Sequence, residues 1–152
     1  MNDATNQAVT PAQLFDAATA PCHRISAGDT VRLTLLRTPD SVLDVSVALE
    51  IWDPAGAQPV NSHESSVETF LFLKGEGTAV SDGVETPVKA GQLLVLPAGS
   101  EHRIINTGES RLYAITTMYP DHGFAEMILA GPRAAIDSDD LAVLHATLPG
   151  KA

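Results

Sequence analysis

A chain of 152 residues, 44% of them hydrophobic, is the size of one domain and can bury an apolar core without covalent staples, which argues against disorder. Its formal charge of −10 repels phosphate backbones and argues against nucleic acid as a partner, although a bound metal would still admit an anionic ligand. Cys22 is the only cysteine, so neither an internal disulfide nor a thiolate metal cluster is available. No run approaches a membrane span, and the start of the chain lacks the basic and apolar regions of a signal peptide; the cytoplasm is the expected compartment.

Residues 1–9 are small and polar and are expected to be poorly ordered. Thr10-Pro11 reads as an N-cap and first helical position, opening a short helix through Ala18 with Leu14, Phe15 and Ala18 as its apolar stripe, stopped by Pro21. From Val31 the period becomes two. Val31, Leu33 and Leu35 alternate with Arg32, Thr34 and Leu36 up to the turn at Thr38-Pro39-Asp40-Ser41. Val45, Val47, Leu49 and Ile51 then form the apolar side of a half-buried strand that Asp53-Pro54-Ala55-Gly56 breaks. Arg32, Arg37 and Glu50 read as surface residues of this pair, and Trp52 as a core or dimer-contact residue.

Asn61 and His63 alternate onto one strand face, a turn runs from Glu64 to Val67, and Glu68, Phe70 and Phe72 share the next face. Gly75-Glu76-Gly77 reads as a hairpin turn, not a phosphate loop, and Ser81-Asp82-Gly83 as a type I′ hairpin. Leu93 to Leu96 is a buried strand ended by a Pro97-Ala98-Gly99 corner, because proline cannot donate to a ladder and glycine takes the positive φ of a sharp reversal. The following strand, beginning near Glu101, puts His102, Ile104 and Asn106 on one face. After the turn at Thr107-Gly108-Glu109-Ser110, Leu112 to Met118 is the last strand. The tail from His122 reverts to helical signals, with Phe124, Met127 and Ile128 in one run and Leu141, Leu144 and Leu148 in another, and Ser138 as an N-cap. About eight short strands at regular spacing argue an all-β sandwich or barrel. The organisation expected is an arm with a short helix over 1–20, a barrel over 21–120 and a helical tail packed on it over 121–152, without internal repeat.

The stretch GQLLVLPAGSEHRIIN, Gly91 to Asn106, resembles the second motif of the cupin superfamily, Gly-x5-Pro-x-Gly-x2-His-x3-Asn, at every specified position. Upstream, NSHESSVETFLFLKGEG is similar to the first motif, His-x-His-x3–4-Glu-x6-Gly, at His63, Glu68 and Gly75. It departs at the first histidine, where Asn61 stands, and the glycine that often opens the motif is one residue late, at Gly56. The resemblance implies a single jelly-roll β-barrel with short N-terminal and C-terminal helices. It also implies that the strands carrying Arg32, Arg37 and Glu50 can line the pocket.

The resemblance places His63, Glu68 and His102, from three strands, inside the barrel as ligands of a divalent transition metal. Two imidazoles and a carboxylate with open positions suit Fe(II) first, with Mn, Ni, Co or Zn as alternatives. Asn61 adds a weak amide-oxygen ligand or leaves its place to water or substrate. The function implied is a metal-dependent cupin enzyme acting on a small soluble organic substrate, with dioxygenase chemistry the first choice. The alternatives are a non-catalytic binding or sensing cupin, and an isomerase or lyase, with or without metal, in which His63 and His102 serve as acid–base groups. His23, His122 and His145 read as surface or packing residues, His122 becoming an acid–base candidate if its loop reaches the barrel mouth. Tyr113, Met118 and Tyr119 lie beyond what alternation assigns. Outward residues such as Leu71, Leu73 and Ile105 make a homodimer the expected assembly.

Overall fold

A computed structural model describes residues 11–145, so Thr10 and Leu148 of the expected helices lie outside the described residues. In chain order its elements are β1 (Cys22–His23), β2 (Val31–Arg37), β3 (Ser46–Trp52), β4 (Val67–Lys74), β5 (Glu76–Ser81), β6 (Val84–Lys89), β7 (Leu93–Leu96), β8 (His102–Asn106), β9 (Leu112–Tyr119), α1 (Phe124–Ala130) and α2 (Ser138–Leu144). Six strands form one sheet in the order β1-β2-β3-β9-β4-β7 and three form a second in the order β6-β5-β8. The fold is all-β, two antiparallel sheets closed face to face as a jelly roll. Between them lies one core that includes Leu33, Trp52, Phe70, Phe72, Ile104 and Leu112.

The expected N-terminal helix is not formed over residues 11–18, where the backbone is irregular and closes only into a turn. The Asp16 carboxylate accepts the Ala18 N–H at 2.9 Å, and its carbonyl accepts the Thr19 N–H at 3.1 Å. Leu14 is 98% exposed and Phe15 meets the Arg37 guanidinium rather than an apolar partner, and a short helix without apolar packing does not outlast its nucleation cost.

β3 is buried on both faces rather than half-buried. Ala48, Glu50 and Trp52 face the interior, while Leu49 and Ile51 form a second, outer cluster with Tyr113, Leu73, Val143 and Leu144. The tail supplies this cover, and a buried clamp holds it there. Arg32 donates to Asp140 Oδ2 at 2.8 Å and to the Ala135 carbonyl at 2.7 Å, while Asp140 Oδ1 accepts from Tyr113 Oη at 3.0 Å and Arg111 Nη1 at 2.9 Å. Arg32 is therefore a core ion-pair residue and not a surface one, because residue 140 brings it a buried counter-charge. Arg37 keeps a surface role, paired with Asp40. Leu73 is half-buried against this outer cluster. The cap of α2 is Asp137, one residue before Ser138, in a reciprocal capping box with Asp140.

One turn follows the sequence closely and another does not. Asp82 and Gly83, both at positive φ, close the β5–β6 hairpin as a two-residue loop. Gly75, at φ 89°, is instead a corner at which the chain leaves one sheet for the other, since β4 and β5 do not pair. A Cβ there would lie 2.8 Å from the Arg111 carbonyl oxygen, so glycine is required. β7 is an edge strand, and Leu93 and Val95 face outward, exposed, where burial was expected. Its alternation leaves Leu96 to the core.

Candidate metal centre

The Pro97-Ala98-Gly99 corner is the element that assembles the site. Gly99, at φ 82°, donates its N–H to the His63 carbonyl at 2.8 Å, and the Ser100 hydroxyl closes back on the Pro97 carbonyl at 2.9 Å. Ser100 O then receives His102 Nδ1 at 3.0 Å. With Nδ1 donating there, Nε2 is the ring atom that faces inward, the arrangement that orients a ligating imidazole. His102 is the first residue of β8 and pairs with Asn61 through a pair of backbone hydrogen bonds, 2.8 and 3.0 Å, so both sit on the same side of the ladder.

Glu68 Oε2 lies 2.9 Å from His102 Nε2 and 3.4 Å from His63 Nε2. One donor atom from each of the three residues falls within 4.8 Å of the others. Glu68 and His102 are buried; His63 is half-buried and sits edge-on against Phe124 of α1 at 5.6 Å. His63 comes from an irregular segment, not from a strand as expected: Asn61 makes a single bridge, and residues 62–66 follow a loop held by the corner. Burial, the largest influence on Glu68, pushes its carboxyl up, yet hydrogen bonds and charge from His102 and His63 together hold it below the ordinary range. Burial likewise pushes His102 down, but its hydrogen bond with Glu68 and that carboxylate's charge win and hold it up. Two imidazoles around one buried carboxylate oxygen, with one tautomer set from behind, suit a divalent transition metal.

His63 and Glu68 line a cavity of about 560 Å³ bounded by both polar and apolar groups, and His102 stands behind Glu68. Asn61 lines it too, with its Nδ2 donating to the Pro59 carbonyl at 3.0 Å. His122, in the left-handed region at φ 47°, reaches the cavity mouth beside Phe124, so its loop does arrive there. Tyr113 and Met118 are buried elsewhere, Tyr119 is exposed, and none of the three lines the cavity. His23 is a buried packing residue, its Nδ1 2.9 Å from the Gly131 carbonyl oxygen. Asn106, the last motif residue, is structural. Its amide donates to the carbonyls of Trp52, Asp53 and Ser110 and accepts from Gly108 N–H, tying β8 to the ends of β3 and β9.

Glu50 departs from the surface reading and lies where the resemblance allows its strand to lie, at the pocket. It is 1% exposed and lines the cavity. Its Oε1 accepts from Gln58 Nε2 at 2.6 Å and its Oε2 from Thr116 Oγ1 at 2.8 Å. The burial of Leu49 and Ile51 under the tail turns the charged face of β3 inward. The signal available in the sequence was the strand's second face, where Glu50 stands between Ala48 and Trp52. Burial first, and the Glu68 charge second, raise the Glu50 carboxyl to about 8 against those two hydrogen bonds.

With that geometry in place, the comparisons agree. Residues 48–118 match the family model described as "Cupin domain". The "Oxalate-binding protein" of Thermotoga maritima is 34% identical over 59 residues, 39% of this chain, and the match spans about half, 49%, of that relative's length. The crystal structure of a predicted oxalate decarboxylase from Thermotoga maritima superposes with a TM-score of 0.63 at 23% identity, covering 70% of this chain and 97% of the other. A sugar phosphate isomerase from a cupin superfamily, from Silicibacter pomeroyi, gives 0.60 at 16% identity over 70% and 74%. Residues 48–118, which carry both motifs, thus match a cupin domain, and the fold is the one these solved structures share.

Proposed function

We propose that the protein is a divalent-metal-dependent cupin enzyme that binds a small organic acid in its barrel, with His63, Glu68 and His102 as the protein ligands. The observation that carries this reading is the convergence of three donor atoms within 4.8 Å, on residues of which His63 and Glu68 line the cavity. A metal held there supplies Lewis-acid polarisation of a ligand oxygen and, as Fe(II), access to O2. The chain's own parts do the rest. Ser100 sets the His102 tautomer, Phe124 backs the His63 ring, and His122 at the mouth is placed to exchange a proton with solvent. A small carboxylate is the ligand class favoured, because the Thermotoga maritima relative is named for binding oxalate. Dioxygenase chemistry is the first reaction to test. An oxygen electrode and a CO2 assay on Fe(II)- and Mn(II)-loaded protein, given a panel of small carboxylates, separate the reactions. Fe(II)-dependent O2 uptake supports the dioxygenase, and CO2 release without O2 uptake replaces it with a decarboxylase. Ligand binding with neither leaves a binding cupin. The exposed outer residues Leu71, Leu93 and Val95 supply the apolar surface for a homodimer.

Asn61 is the adjustable position of this centre. An amide oxygen is a poorer transition-metal donor than imidazole nitrogen, so Asn61→His should tighten Mn(II) binding at least tenfold and lower turnover by filling a position that substrate uses. Competition titration against a chelator measures this. Unchanged affinity in a folded variant would mean that residue 61 does not face the ion.

A further inference from the structure

The cavity holds a second carboxyl that the metal reading leaves without a task. Glu50 approaches from β3, across the barrel from β8, and both of its oxygens are fixed. Gln58 cannot turn its amide around, because its Oε1 already accepts the Ile104 N–H of β8 at 3.0 Å, which commits Nε2 to Glu50. Thr116 holds the other oxygen from β9. A carboxyl so fixed, 1% exposed and at a cavity wall, costs desolvation energy that nothing in the fold recovers, since neither Arg nor Lys is among the described residues lining that cavity. The ionisable groups that line the cavity with it are His63, Glu64, Glu68, Asp121 and His122; His102 is buried on β8 beside Glu68. A buried acid kept neutral near pH 7 is a hydrogen-bond donor aimed at an oxygen.

We propose that Glu50 is a ligand-binding, specificity-determining residue: as a neutral acid it donates a hydrogen bond to an oxygen of the bound molecule, at the end away from His63, Glu68 and His102. The ligand class is then an organic acid with oxygens at both ends, long enough to span the cavity. This rests on the metal-dependent reading given above, and the experiment separates the two. Mn(II)-loaded wild type and Glu50→Gln are titrated calorimetrically with oxalate, succinate and glutarate between pH 5 and 9.5. Glutamine keeps the shape and the partners of the neutral acid but has no proton to lose, so the variant is expected to fold. Oxalate, too short to span, should show a wild-type-to-variant affinity ratio that is constant with pH. For succinate and glutarate that ratio should fall at least tenfold from pH 5 to pH 9.5. Equal profiles in the two proteins for the longer acids overturn the Glu50 assignment and leave the metal reading standing. Failure of all three acids to bind in the presence of Mn(II) overturns both.

Discussion

His102→Ala should abolish metal retention while leaving the barrel folded. His102 Nε2 is one of three strong donors, and its ring is held from behind by the Ser100 carbonyl at 3.0 Å. Loss of a group that merely orients a ligand costs roughly 10- to 100-fold in affinity, so loss of the ligand itself should exceed about 100-fold. The fold should survive because the backbone bonds of residue 102 to Asn61 and β5 do not involve the ring, and Glu68 keeps His63. A buried partner left unpaired costs about 1–3 kcal/mol, a tolerable loss for a domain of this size. Elemental analysis after gel filtration, with a thermal melt beside it, gives both quantities. A variant that folds and still carries a full equivalent of metal would remove His102 from the ligand set.

Glu50→Gln should stabilise the metal-free protein, and increasingly so as pH rises. The Glu50 carboxyl titrates at about 8 in the folded protein against an ordinary 4.5. Below 4.5 both folded and unfolded chains hold the proton, and the residue's stabilising contribution is fully present. As pH rises from there through about 8, the unfolded chain releases its proton while the folded one must keep it, so wild-type stability falls by about 1.4 kcal/mol per pH unit. The loss is on the order of 3 kcal/mol at pH 7. Glutamine carries no such loss, and its amide can still meet Gln58 and Thr116. Urea melts of chelator-treated wild type and variant at pH 4.5 and pH 7.5 test this. The variant's advantage should appear at the higher pH; an advantage independent of pH would mean that Glu50 is ionised in the fold.

What the sequence discloses divides by range. The corner at Pro97 to Gly99, the Asp82-Gly83 hairpin and the inward row His102, Ile104, Asn106 are set by local sterics and period two, and all three are found where the residues predict them. The inward row Glu68, Phe70, Phe72 is found for the same reason. The departures arise from contacts between distant segments. Arg32 and Glu50 read as surface because nothing near them in sequence shows that Asp140 will supply a buried counter-charge, or that Val143 and Leu144 will cover the outer face of β3. His63 reads as a strand residue because its spacing from Asn61 is two, while it lies in a loop that the Gly99 N–H, Glu68 and Phe124 hold from distant segments. The metal-site candidates were thus legible as motif positions. Alternation alone does not place Glu50 beside them, since Val143 and Leu144, which cover the outer face of its strand, lie more than 90 residues further along; only the resemblance lets that strand line the pocket.

The most direct test of the metal-binding account is a crystal of the wild-type protein soaked in Mn(II), with anomalous diffraction recorded at a wavelength where manganese scatters strongly. The account predicts one anomalous peak per chain, within ligand distance of His63 Nε2, His102 Nε2 and a Glu68 carboxylate oxygen. A peak elsewhere, or no peak in crystals whose lattice and cavity are intact, would contradict it.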